Sequence, residues 1–215
     1  MLARLVVFST LLTSSPRAEV IDRIAVTLDT QIITESEVAR EIRLSAFLNG
    51  DPLDFSPDAR RKAAGRLVEQ KLIRREIELG RYLEPGKEEV VPMLVQIQTQ
   101  RFRSPEDYRQ ALQTYGVAEG DLNAHLLWQL TLLRFIEARF RPGVQVSDEQ
   151  VRAYFDSEQG KLESTADPGK PRRIEDFRDQ ISETLINQIV DQQLNDWLAA
   201  ARKRAHIVFH PEAFQ

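Results

Sequence analysis

The chain has 215 residues, room for one or two domains and a sizeable core. Its 33 acidic and 29 basic residues give a net charge of −4, which argues against a general nucleic-acid binder. The absence of cysteine excludes disulfides, thiolate metal sites and cysteine nucleophiles, and with nine glycines and no GxG the sequence holds no phosphate-cradling loop.

Residues 1–18 open with Arg4, continue with an apolar run over 5–12 and finish in small residues up to Ala18, with no acid before Glu19. That pattern reads as a secretory signal peptide. The apolar run is too short to span a bilayer, so stable membrane insertion is not expected. Taking Arg4 and Arg17 from the 29 basic residues leaves 27 against 33 acidic, a net of −6 for the remainder.

Ile24, Val26 and Leu28 then alternate with Ala25 and Thr27, the pattern of a short strand with one apolar face. Asp29-Thr30-Gln31 suits a turn, and Ile32-Ile33 a returning strand. Thr34-Glu35-Ser36-Glu37 is a capping box and starts a helix to about Leu48, ended by Asn49-Gly50-Asp51-Pro52. Ser56-Pro57 caps a second helix that runs to Leu79, with Gly80 available to end it. Leu67, Val68, Leu72, Ile73 and Ile77 form its apolar stripe. Val90, Leu94 and Ile97 mark a third helix to about Phe102. Ser104-Pro105 starts a fourth, with Tyr108, Leu112 and Tyr115 on one side and Gly116 at its left-handed end.

The helix expected over 119–140 is the most apolar, with leucines, Trp128 and Phe135 nearly all round it. Ser147-Asp148-Glu149-Gln150 opens a short helix through Phe155. Residues 157–173 have almost no apolar content and contain Pro168-Gly169-Lys170-Pro171, the composition of a loop. A long helix spans about 174–204 with Phe177, Ile181, Leu185, Ile189, Leu194, Trp197 and Ala201 near one stripe. Residues 206–210 alternate again, as a final strand would. Strands this short are unstable alone, so the C-terminal strand is expected to pair with the N-terminal hairpin. The fold class is mainly α, with a small β-hairpin near the N-terminus completed by a C-terminal helix and short strand.

Chemical constellations are sparse. His206 and His210 would lie about 13 Å apart on one face of a strand, and His125 has no ligand partner at motif spacing. No G-x-S-x-G elbow occurs. Glu88-Glu89 and Asp148-Glu149 sit at helix starts, where the helix dipole accounts for them. Basic clusters such as Arg60-Arg61-Lys62 and Arg202-Lys203-Arg204 are interleaved with acids, as on a solvated face. No cofactor, metal or catalytic residue is expected.

The order of these segments resembles the SurA-type periplasmic chaperones, relatives of the parvulin-type peptidyl-prolyl isomerases. Ile21-Asp22-Arg23-Ile24-Ala25-Val26, Ile32-Ile33-Thr34 and Glu37-Val38 look like the family's opening hairpin and first helix. Leu67-Val68-Glu69-Gln70-Lys71-Leu72-Ile73 with Gly80 is similar to its next helix. Phe102-Arg103-Ser104, Tyr108, Leu112, Gly116-Val117 and the leucine-rich helix after Asp121 follow in order. Val146-Ser147-Asp148-Glu149-Gln150-Val151 with Tyr154-Phe155 resembles the exit from that domain, and His206 to Phe209 its closing strand. Two features depart. Asp29 stands where the family often has asparagine, and only the 18 residues 156–173 occupy the place of a parvulin domain, which needs about 50 or more.

After the signal peptide read over 1–18, the resemblance implies one discontinuous chaperone domain over 19–157 and 174–215, and a linker over 158–173 in place of the parvulin domain. It implies a periplasmic, ATP-independent holdase rather than an enzyme. Its clients would be unfolded or extended polypeptides, outer-membrane β-barrel precursors among them. The region suited to client contact is the helix carrying Leu126, Trp128, Leu132 and Phe135. Core and cradle positions share one pattern there, so single contacting residues do not stand out. The alternative is a helical envelope scaffold that holds one folded partner.

Overall fold

The computed structural model describes residues 22–162 and 173–215. The expected signal peptide, and most of the expected linker, lie outside the described residues. β1 (Ile24–Leu28) and β2 (Gln31–Thr34) form the hairpin, and β3 (Ile207–Phe209) adds to the other side of β1. Both pairings are antiparallel, with Val26 opposite Ile33 on one side and Phe209 on the other. The ends of the described chain thus share one sheet, as expected. The facing of β1 differs from strict alternation. The register slips between Ile24 and Val26, so Ala25 and Val26 both turn inward while Ile24 is left exposed.

Seven α-helices follow among the described residues. α1 (Glu35–Asn49) starts at the complete capping box: the Glu37 N–H donates to Thr34 Oγ1, and the Thr34 N–H donates to the Glu37 carboxylate at 2.8 Å. Gly50, at φ 76°, ends it. α2 (Pro57–Gly80) is capped by Ser56. It ends one residue later than expected, on Arg81 at φ 54° rather than on Gly80. Gly80 instead makes room for a ring, because a Cβ there would lie 2.4 Å from Cε2 of Tyr82. A 3₁₀ turn (Lys87–Val90) leads into α3 (Val91–Arg101), followed by α4 (Pro105–Tyr115) and α5 (Glu119–Arg139).

α6 (Asp148–Leu162) is longer than the short helix expected, and residues 158–162 of the expected linker belong to it. Polar composition does not stop a helix: Glu158, Gln159, Lys161 and Leu162 are good formers, and the lone Gly160 costs only about 1 kcal/mol. α7 (Ile174–Arg204) spans the range expected. A closing 3₁₀ turn (Pro211–Phe214), which nothing in the periodicity announced, buries Phe214 beneath the sheet.

The core has four parts. The sheet packs on α1 and α2 through Val26, Ile33, Val38, Val68 and Leu72. Phe47 of α1 centres an aromatic cluster with Tyr108, Leu112, Leu122 and Leu126. Ile73, Trp128, Phe135, Phe140 and Leu198 join α2, α5 and α7. α6 and the first half of α7 share a small cluster of their own around Val151, Phe155 and Ile181. Arg141 fastens this pair to α5, donating both Nη2 bonds to Glu183 at 2.6 and 2.7 Å.

Candidate functional site

Two of the three histidines tie the C-terminal strand to the hairpin, His206 through its backbone. His210 Nε2 lies 2.9 Å from Thr27 Oγ1, and its Nδ1 lies 3.9 Å from Glu212. His206 uses its backbone N–H to reach Asp29. His125 lines a cleft of about 230 Å³ between α1, α2 and α5. Burial pushes its imidazole pKa down, Glu41 pulls the other way, and Arg66 adds to the lowering. The charged rim of that cleft is paired internally, Arg40 with Asp121 at 3.5 Å and Lys71 with Glu37 at 3.9 Å. Among the described residues no group of three His, Asp or Glu side chains is placed to hold a metal.

α5 divides the four residues singled out from the sequence. Leu126 faces the aromatic cluster. Trp128 and Phe135 face the opposite cluster, and Leu132 packs half-buried beside them. Leu126 and Phe135 are each 1% exposed and Trp128 8%, so three of the four are core. Phe135 is enclosed edge-to-face by Tyr82, Phe140 and Trp197 at 5.1 to 5.9 Å. The Arg74 guanidinium covers the Trp128 ring at 4.5 Å, and burial lowers its pKa from the usual arginine value. The apolar circumference of α5 reflects burial on two sides. What it leaves to solvent is Leu133, 55% exposed.

The less buried apolar surface lies on its neighbour. α3 carries no buried residue. Val91 and Val95 face solvent, while Met93, Leu94 and Ile97 lie half-buried on the aromatic cluster. Three clefts flank it. One of about 360 Å³ runs between α3 and α5, lined by Val90, Val91, Leu94, Ala124 and Leu127 with Lys87 at its rim. One of about 390 Å³ lies on the other side, between Met93, Ile97 and Leu126. One of about 560 Å³ lies at the C-terminal end, against Phe102, Tyr108 and Leu112. Volumes of this size fall in the roughly 300–1,000 Å³ range of ligand sites. In the segment after α2, Leu79 and Leu83 are also exposed, at 76% and 83%.

This second apolar surface was missed in the sequence, although a signal was there. The run Val90-Val91-Pro92-Met93-Leu94-Val95 holds more apolar side chains than one face of a short helix can bury. Chemically, the region offers contact area and shape to an apolar partner.

A scan of protein-family models finds none that matches this chain, and a search of curated proteins finds no match either. Among the described residues no helix is long and apolar enough to cross a membrane.

Proposed function

We propose that the protein is an ATP-independent holdase of the periplasm, without isomerase activity, that binds unfolded envelope polypeptides such as outer-membrane β-barrel precursors. The observation that carries this reading is the unfilled apolar surface of α3, flanked by clefts and rimmed by Lys87, Arg103 and Arg109. Exposed apolar area of this kind suits a partner that presents apolar side chains without a fixed shape. The family-like order of segments supports the same reading. So does the pairing of β3 with β1, which brings the two ends of the described chain into one sheet, as the resemblance implies. A holdase works by mass action: whatever binds only the unfolded form draws it away from aggregation.

The test is binding to an outer-membrane barrel protein freshly diluted from urea, beside the same barrel already folded in detergent. Micromolar or tighter binding to the unfolded form alone is expected. Binding to neither form sinks the reading. Capture of one folded envelope protein, with no affinity for the unfolded barrel, would put the scaffold reading in its place.

A further inference from the structure

We infer that α3 is a placeholder: it occupies, within its own chain, a site that takes an apolar helical segment of a partner, and it lets go through its C-terminal end. The inference goes beyond the holdase reading: the client surface proposed above is the outer side of α3, whereas this site lies beneath it. Only the partner's being an unfolded polypeptide rests on that reading, and the chemistry of the site is read from α3 itself.

The helix is poorly seated for its position. α1, α4 and α5 around it each bury side chains, whereas none of its 11 residues is buried. Here three clefts border a single short helix.

Its ends hold it. At the N-terminal end Val90 is buried, and Glu89 of the same 3₁₀ turn pairs with Arg134. At the C-terminal end Arg101 carries the attachment. Its guanidinium donates to the carbonyls of Leu48 at 2.6 Å and Phe47 at 2.8 Å, in the last turn of α1. A cation there also meets the negative end of the helix dipole. The same group lies 5.7 Å from the Phe47 ring centre and 5.8 Å from that of Phe102.

The ground beneath is apolar with one polar exception. Leu122 and Leu126 are buried there, and the Tyr108 hydroxyl is buried with no hydrogen-bond partner among the described residues. Burial pushes that phenol's pKa up, and the Gln98 amide of α3 opposes the shift from nearby. Lifting α3 would open this hydroxyl to water in exchange for the Gln98 amide, so burying it adds little that holds α3 down.

The placeholder also describes its replacement. Its seated side chains are Val90, Met93, Leu94 and Ile97, spaced three, four and seven along a helix, and Arg101 follows four residues later. A partner segment that fits is an amphipathic stretch with apolar side chains three and four apart and a basic residue one turn beyond.

The probe is a fluorescein-labelled synthetic peptide copying residues 87–103, added to the whole protein and to its Arg101→Ala variant. Apparent affinity rises with the fraction of molecules that are open, so about tenfold or tighter binding to Arg101→Ala is expected. A peptide of the same composition in scrambled order should not bind. Amide exchange over 91–101 should be faster than over 105–115 in the wild type, and faster again in the variant. Arg101→Lys, which keeps the charge but loses the forked bond, should fall between and serves if Arg101→Ala does not fold. Equal affinity for wild type and variant, or equal affinity for the scrambled peptide, overturns the inference. So does exchange in α3 no faster than in α4. Peptide binding by a protein that shows no affinity for an unfolded barrel protein leaves the placeholder standing and removes the holdase reading.

Discussion

Asp29 and His206 grip each other twice: the Asp29 N–H donates to the His206 carbonyl at 2.9 Å, and the His206 N–H donates to the Asp29 carboxylate at 2.8 Å. The second carboxylate oxygen accepts from Arg75 at 2.6 Å. One hairpin residue therefore ties β3 and α2 to the β1–β2 turn. The His206 N–H first, and Arg75 second, hold this carboxyl below the usual aspartate value of 3.8. A depressed carboxyl stabilises the fold above its unfolded pKa, and that contribution fades as pH falls through the lower folded value. Asp22, held down mainly by the Ser36 hydroxyl, acts in the same direction. Asparagine tolerates the left-handed φ of 51° at position 29. Asp29→Asn therefore isolates the charge. Thermal melts should show the wild type above Asp29→Asn at neutral pH, with the gap closing below about pH 4. A gap that does not change with pH would contradict this account.

The end of α2 makes a paired prediction. Arg81 holds a left-handed φ that costs a side-chain-bearing residue about 1–2 kcal/mol. Arg81→Gly should accordingly raise stability by about 1 kcal/mol. Gly80→Ala should do the reverse, by roughly 1–3 kcal/mol, because its methyl would drive the Tyr82 ring off Phe135. Urea denaturation of the two variants beside the wild type checks both signs.

Much of the fold was legible because its helix starts are local chemistry. Thr34 with Glu37, Ser56 before Pro57, Ser104 before Pro105 and Ser147 with Gln150 each satisfy backbone groups within a few residues, so the cap can be read without knowing the partner. Features set by distant chain were not legible. Ala25 turns inward through a slip against β2, and Phe214 finds its seat only once the sheet exists. The candidate region on α5 stayed ambiguous for the same reason. Leu126 and Phe135 look alike in sequence to Leu133, and only the packing of α1 and α4 on one side and α2 and α7 on the other separates them. The surface at α3 was readable in principle as an excess of apolar residues, but periodicity alone presents such an excess as core.

Tyr108 offers a test in which removing a polar group improves the protein. Its residue is 5% exposed and its hydroxyl is unpaired among the described residues. An unsatisfied buried hydroxyl costs about 1–3 kcal/mol, and phenylalanine keeps the ring contacts with Phe47 and Phe102. Tyr108→Phe should raise the urea midpoint by the equivalent of about 1 kcal/mol with the slope unchanged. A lower midpoint would mean that the hydroxyl is bonded in solution.

Leu133 and Phe135 separate an exposed side chain from a core one within two residues of one helix. Phe135 is 1% exposed among three aromatic neighbours, so Phe135→Ala should cost about 3–5 kcal/mol. Any loss of client capture in that variant would follow the loss of fold. Leu133 is 55% exposed, and Leu133→Ser should leave stability within about 0.5 kcal/mol. If α5 contributes directly to client contact, Leu133→Ser must weaken capture of the unfolded barrel while the melting curve stays in place. Combining it with Val91→Ser and Val95→Ser on the exposed side of α3 should deepen that loss without unfolding the protein. Capture that persists undiminished in the folded triple variant would move the client surface off these two helices. The exposed leucines at 79 and 83 would then be the next surface to alter.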